Sequence, residues 1–329
     1  MRPLALVESP LQVLGLIDAV AANDLVDPRV IVRSAPAAAT LARLRAATGP
    51  SRHEARAVLP SACRPTGVVL GDPFSGLGQL ALLATPRCTP VLLLDDGTAT
   101  LRLVDALLER GTLTRATDRP PAGRRHLASA ALGRLRARAV HGTLTLRTCV
   151  PLSDDDVAAL TRTGLTLVQH RLEHVRALDV PDVVDEDVVV LGSALADDGL
   201  VDRARYDSWA DKVVREAVMR GWTVRYLPHR REPRSRLERL TQAGARTAPS
   251  PWPAELALGG LGPGRRVVTL PTSVLLTLGG ALADAGVVVD VYDVPDTWWT
   301  RRASPAARAH LRAPARLHAA VFRPTGGQS

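Results

Sequence analysis

Residues 92–101, LLLDDGTATL, set Asp95 and Asp96 side by side behind an apolar run, with Gly97 next. A carboxylate at the end of a buried strand can serve as a general base, and an adjacent acid disfavours simultaneous ionisation and raises one pKa. The same letters also suit a plain Asp-Gly turn, with Thr98 capping the helix written by ATLRLVDALLER. Their chemical meaning therefore depends on partners elsewhere. ESPLQVL carries Ser9, Pro10 and Gln12, a capping box with proline at the first helical position and a ready anion or substrate site if a strand precedes it. YLPHRRE carries His229 between Pro228 and Arg230, and with Arg231 and Arg234 nearby it suits a phosphate. LPTSVLLTL offers Thr272 and Ser273 at a helix start, either as caps or as phosphate donors.

Short Val/Leu-rich runs alternate with Ala/Leu/Arg-rich stretches of helical character, the pattern of parallel sheets covered by helices, so the fold class read from the sequence is α/β. Strands are expected at 4–7, 30–32, 67–70, 91–94, 143–146 and 165–168, then at 188–191, 223–227, 266–270 and 287–291. All four chemical stretches stand where one of these strands stops. LDVPDVVDED, residues 178–187, reads as a linker, and two α/β domains so joined would form a ligand cleft between the carboxyl ends of their sheets. The polar, arginine-rich text of 111–139 reads as a mobile surface segment, and the last thirty residues as a surface helix broken at Pro314 with a frayed end.

The chain has 329 residues, enough for two domains of ordinary size. Hydrophobic residues make up 46% and aromatics 3%, so the cores should be built from Ala, Val and Leu. The net charge of +9 is carried by arginine, with Lys212 the only lysine, and guanidinium groups favour phosphates and carboxylates. Nucleic-acid binding is disfavoured by the lack of zinc-finger spacing, an aromatic RNA-binding signature or a basic heptad helix. Cys63, Cys88 and Cys149 have no metal spacing and read as small core residues in a reducing compartment. No charged-then-apolar leader and no apolar run of about 18 residues appears, so the expectation is a cytoplasmic protein whose arginines suit loose contact with an anionic membrane.

Together the four stretches resemble the bacterial sialyltransferases and polysialyltransferases of the GT-B kind, including the lipooligosaccharide sialyltransferase families. Asp95-Asp96-Gly97 matches their acidic-acidic-Gly motif, YLPHRRE their His-Pro motif, and Thr272-Ser273 their hydroxyl pair. Glu255, in PAEL, stands where the group has a glutamate that holds the nucleotide ribose, and LGSALADDGLVDRARYDSW, with Gly192 and Ser193, is similar to a donor-side stretch. Order and approximate spacing agree over nearly the whole chain, although each motif is short. Arg230 follows His229 where many relatives have proline, and the hydroxyl pair is Thr-Ser rather than Ser-Ser.

The resemblance implies two Rossmann-like domains facing each other across a cleft. Residues 1–177 would hold the acceptor and the base, 178–187 the linker, 188–300 the CMP-donor site, and 301–329 a helix and tail. It implies inverting transfer of sialic acid, or a related sugar, from a CMP-activated donor to a hydroxyl of a glycan or glycolipid, with no metal and no other cofactor. Asp96 is read as the base and Asp95 as its positioner, with the reverse allocation open. His229 would donate to the departing phosphate, helped by Thr272, Ser273, Arg230 and Arg231, while Ser9, Pro10, Gln12 and Gly97 lie on the acceptor side.

Two rival readings exist. HRLEH, residues 170–174, fits a zinc-hydrolase pattern with His170 and His174 as ligands and Glu173 as base. It needs a helix presenting both histidines, whereas LTLVQ before it reads as strand and Pro181 follows. A nucleotide-binding protein without turnover would need the phosphate-side groups but no base. A second acidic-acidic-Gly sequence, Asp197-Asp198-Gly199, does not close a strand and reads as a polar lead into the helix near Tyr206.

Overall fold

The computed structural model describes residues 2–48, 65–115, 121–181 and 183–321. The chain divides into two compact units between Asp179 and Val180. Each has a parallel sheet with covering helices, a Rossmann-like construction, and the ten strands fall within one or two residues of the positions read from the sequence. No helix among the described residues is long and apolar enough to cross a membrane.

In the first unit the strands are β1 (Leu4–Val7), β2 (Arg29–Val32), β3 (Val68–Leu70), β4 (Val91–Leu94), β5 (Leu144–Thr148) and β6 (Thr166–Gln169). Between and after them run helices α1 (Pro10–Ala21), α2 (Ala35–Thr48), α3 (Gly76–Ala84), α4 (Thr98–Leu107), α5 (Ala122–Val140), α6 (Asp154–Arg162) and α7 (Glu173–Arg176). Val and Leu dominate the strands because parallel strands are covered on both faces. Strand order is β2-β1-β3-β4-β5-β6, so the direction of winding reverses between β1 and β3. Diverging connections leave a crevice at the carboxyl ends of such a strand pair, the usual ligand position in this architecture.

The second unit has β7 (Val188–Leu191), β8 (Val224–Leu227), β9 (Arg266–Thr269) and β10 (Val288–Val291), with α8 (Arg203–Met219), α9 (Arg234–Gln242), α10 (Ala254–Ala257), α11 (Val274–Asp284) and α12 (Pro305–Val321). Its order is β10-β9-β7-β8, and the winding reverses between β7 and β9. All of the chain's tyrosines and tryptophans lie in this unit. Tyr206, Trp209, Tyr226 and Trp299 are buried in its core, so the expectation of cores made of Ala, Val and Leu holds for the first unit and not for this one.

Other expectations are also corrected. The segment read as mobile contains α5, whose Ala128, Ala131, Leu132 and Leu135 follow a helical stripe and are buried, with the helix packed on α3. Arg138 of α5 is fully buried and donates to the carbonyls of Thr85, Pro86, Arg87 and Thr89, fixing the loop that leads from α3 to β4. Arginines in this stretch hid a narrow apolar face of alanines and leucines. Residues 116–120 of the segment, and Cys63, lie outside the described residues. Cys88 is exposed and Cys149 half-buried, so neither is a core filler. Pro314 does not break α12, which runs through it. The helix packs on α11, and Arg312 ties it to Asp293, the Val294 carbonyl and Asp296, contacts that offset the backbone bond proline removes. Finally, Gly97 with φ +62°, not Thr98, occupies the cap position of α4. That left-handed turn favours glycine.

Candidate functional site

The first unit gathers its polar groups at the β1/β3 crevice and the neighbouring end of β4. Ser9 caps α1 by accepting from the Gln12 amide at 3.3 Å, and its hydroxyl donates to Asp96 Oδ1 at 3.1 Å. The Gln12 side chain returns its Oε1 to the amides of Glu8 (2.6 Å) and Ser9 (3.3 Å), completing the capping box. Pro10 takes the first helical position. A side chain at Gly71, just past β3, would put its Cβ 2.0 Å from Gln12 Oε1, so glycine there is what admits Gln12 to the crevice. Gln12 is 1% exposed, and its Nε2 makes no hydrogen bond of good geometry among the described residues, although the Gln12 side chain helps hold the Asp96 pKa down.

The adjacent carboxylates have different surroundings. Asp95 is buried, with Oδ1 accepting from Thr100 Oγ1 (2.9 Å) and Thr148 Oγ1 (2.6 Å) and Oδ2 from the Cys149 amide. It is pinned between β4 and β5. Asp96 is half-buried and its pKa is pushed up to about 6, first by burial and then by the Asp72 carboxylate, against the opposing pull of Ser9, Gln12 and Arg115. The acid that raises it is thus Asp72, at the end of β3, and not its neighbour Asp95. Asp72 is 4% exposed, accepts from the Phe74 amide at 2.9 Å and pairs with Arg115; burial pushes its pKa up as well. Sequence reading passed over it, although LGDPF follows an expected strand and offered the same signal as LDDG. Glu8, held by Ser75 (2.9 Å) and Arg33 (3.2 Å), adds a third carboxylate to the group.

In the second unit Gly192 and Ser193 lie at the end of β7, beside the loop that carries Pro228 and His229 after β8. A Cβ on Gly192 would come 2.1 Å from Glu232 Oε2 and 2.8 Å from the His229 amide, so the loop requires glycine there. Glu232 organises the loop. Its Oε2 accepts from the His229 amide at 2.8 Å and its Oε1 from Tyr206 (2.9 Å), Tyr226 (2.6 Å) and Arg236 (3.1 Å). The Ser193 amide donates to Tyr206 Oη at 2.8 Å. Burial pushes the pKa of Glu232 up while its donors pull it down. Sequence reading missed Glu232, because its partners on β8 and α8 become visible only in the fold.

His229 is half-buried, and its pKa is pulled down by burial and by the guanidiniums of Arg231 and Arg230. Its Nδ1 accepts from the Arg231 amide at 3.3 Å, which leaves the proton of the neutral ring on Nε2. Arg231 is paired with Asp198, and Asp197 with Arg236 (2.8 Å) and Arg203 (3.2 Å), so the second acidic-acidic-Gly sequence neutralises arginines rather than forming a base. Arg230 is exposed, with no ion-pair partner among the described residues. At the start of α11, Thr272 Oγ1 accepts from the Val274 amide at 3.4 Å, whereas Ser273 makes no side-chain cap. Glu255, on α10, is buried and bound by Thr277 Oγ1 at 2.9 Å, which places its carboxylate beside the first turn of the same α11; burial pushes its pKa up.

HRLEH forms no helix with two histidines on one face. His170 follows β6, Leu172 is left-handed at φ +54°, and α7 starts only at Glu173. Both rings instead face the fully buried Asp18 of α1, at 3.3 Å and 3.7 Å. Burial works against the charge on Asp18, but hydrogen bonds from His170, Arg147 and the Val175 amide win and hold its pKa far below the usual carboxylate range. The geometry is that of a structural anion, not a peptidase metal centre.

No protein-family model matches the chain, and no curated protein matches it. Two similar solved structures are the UDP-N-acetylglucosamine 2-epimerase from Rickettsia bellii, 10% identical with a TM-score of 0.45, and the UDP-GlcNAc 2-epimerase from Neisseria meningitidis bound to UDP-GlcNAc, 11% identical with a TM-score of 0.46. The first alignment covers 88% of this chain and 78% of that one, the second 91% and 84%. At this distance neither likeness speaks to residues or reaction.

Proposed function

We propose that the protein is an inverting glycosyltransferase that moves sialic acid, or a related sugar, from a CMP-activated donor to a glycan hydroxyl. One observation carries this reading: Asp96, at the crevice of the first sheet, is half-buried, raised by the Asp72 carboxylate, hydrogen-bonded by Ser9 and poised to ionise near pH 6. A base so tuned is ionised at neutral pH yet still has appreciable proton affinity. In the step envisaged, the acceptor O–H proton passes to Asp96 as its oxygen bonds to the anomeric carbon. The bond from that carbon to the CMP phosphate oxygen breaks with inversion, and His229 Nε2–H donates to the departing phosphate. Asp95 is a positioning residue, Glu232 positions His229, and Gln12 helps hold the charge on Asp96. Thr272, Ser273 and Arg230 supply further phosphate-side groups, and Glu255 suits a ribose hydroxyl. Both units must act on one substrate pair in this scheme.

The reading is tested by incubating a panel of CMP-, UDP- and GDP-sugars with glycan acceptors and identifying products by mass spectrometry. A binding experiment accompanies it. CMP at about a hundred times its dissociation constant should add about 2.7 kcal/mol of stability, a rise of several degrees in the melting of the second unit. The rise should shrink in His229→Ala. If UDP or GDP shifts the transition and CMP does not, the donor assignment fails.

Metal dependence supplies a second check. A monophosphate leaving group can be met by histidine, hydroxyls and a helix end, so transfer is expected to survive EDTA. His174, whose side chain is 48% exposed, should tolerate alanine with a change in rate below about twofold. Loss of activity in EDTA that zinc restores, together with collapse in His174→Ala, would favour the hydrolase reading instead.

A further inference from the structure

We propose that Asp95, Cys149 and His170 form a binding site for zinc or a similar borderline-soft divalent cation, with one position open. The side chains come from the ends of three adjacent parallel strands, β4, β5 and β6, and their ligand atoms all lie within 4.8 Å of one another. Ligands on one tetrahedral zinc ion stand about 3.3–3.8 Å apart, given bonds of about 2.0–2.3 Å, so small side-chain rotations close the set. Thiolate, imidazole and carboxylate are the donor types zinc takes together.

The surroundings are those of a supported site. Asp95 is oriented by Thr100, Thr148 and the Cys149 amide, and a carboxylate with three accepted hydrogen bonds keeps a lone pair for a metal. The Leu172 amide donates to His170 Nδ1 at 3.2 Å, and Asp18 Oδ2 stands 3.3 Å from the same ring nitrogen. With Nδ1 taken by that amide, the ring offers Nε2 to the cation, which takes the place of its proton. Asp18 itself accepts from Arg147 and from the His174 and Val175 amides and has the His170 ring against its Oδ2, so the alternative set of Asp18, His170 and Glu173 is short of a free carboxylate lone pair.

Cys149, His170 and Asp18 also have the order of a nucleophile, base and orienting acid. The Asp95 carboxylate among the same ligand atoms adds the third donor that a cation takes. The site shares Asp95 with the transferase proposal, where it is a positioning residue, but its ion is not asked to take part in sugar transfer.

Cobalt(II) serves as a spectroscopic stand-in for zinc. Titrating the full chain, freed of metal and kept reduced, should produce at about one equivalent a near-ultraviolet thiolate-to-cobalt band and intense tetrahedral visible bands, both displaced by zinc. Cys149→Ser should lose the near-ultraviolet band, and His170→Ala should bind at least about tenfold more weakly. In the wild type, zinc should slow alkylation of Cys149 but not of exposed Cys88, read peptide by peptide, which keeps the test decisive if a variant does not fold. A thiolate band that persists in Cys149→Ser, no saturable band in the wild type, or equal alkylation of Cys149 with and without zinc would each overturn the proposal.

Discussion

Asp96→Asn is expected to melt at a higher temperature than the wild type while transferring sugar at least about 10²-fold more slowly. The two effects share one cause. Asp96 has a folded pKa of about 6, above the ordinary 3.8, so between these values the folded state keeps a proton that the unfolded chain has released. Stability therefore falls as pH rises through that window, and the full cost is present above pH 6. A neutral amide at the same position avoids it, a gain of about 1–3 kcal/mol at pH 7.5 that fades toward pH 4. Because the base must be ionised, the wild-type rate should fall as pH drops below about 6. Asp72→Asn removes the repelling carboxylate and should move that acid limb to lower pH. Asp95→Asn should fail differently, losing about 1–3 kcal/mol of stability, since an amide cannot accept all three of the hydrogen bonds Asp95 now receives. Thermal melts at two pH values and pH–rate profiles of the three variants check this. Retained turnover in Asp96→Asn, or an unmoved limb in Asp72→Asn, would remove Asp96 as base.

Arg236→Ala should destabilise the second unit by about 3–5 kcal/mol, the cost of stranding buried carboxylates. The guanidinium is 1% exposed, donates to Asp197 (2.8 Å), Asp207 (2.5 Å) and Glu232 (3.1 Å), and stacks over the Tyr206 ring at 4.7 Å. Without it, Glu232 has two tyrosines and an amide but no counter-charge. The His229 loop hangs from the same carboxylate, so CMP affinity should fall together with stability. Glu232→Gln in the Arg236→Ala background should recover part of the loss, because a neutral amide needs no cation. Denaturant unfolding of the single and double variants measures this coupling. A loss below about 1 kcal/mol in Arg236→Ala would mean that the buried network tolerates an unpaired carboxylate.

The positions of Asp96, Ser9 and His229 at strand ends could be read from the chain by itself. Val/Leu runs such as 91–94 and 188–191 mark strands covered on both faces, and polar letters mark where each run stops, both local properties. The capping box at Ser9 and Gln12 was legible for the same reason, since its partners are three residues apart. Tertiary structure alone decided what those groups do. Ser9 meets Asp96 across 87 positions because the order β1-β3-β4 brings their strand ends together, and that order also delivers Asp72, which letters alone gave no cause to join to Asp96. Asp95 and Asp96 are neighbours in the chain, yet one is tied to β5 and the other turns to the crevice. Glu232 looked like one charge in a basic loop until β8 and α8 brought two tyrosines and Arg236 onto it. Local letters set where the chain stiffens and where it stops; the proton affinity of a buried carboxylate is set by whatever distant strands place beside it, and that depends on winding order, which no short window contains.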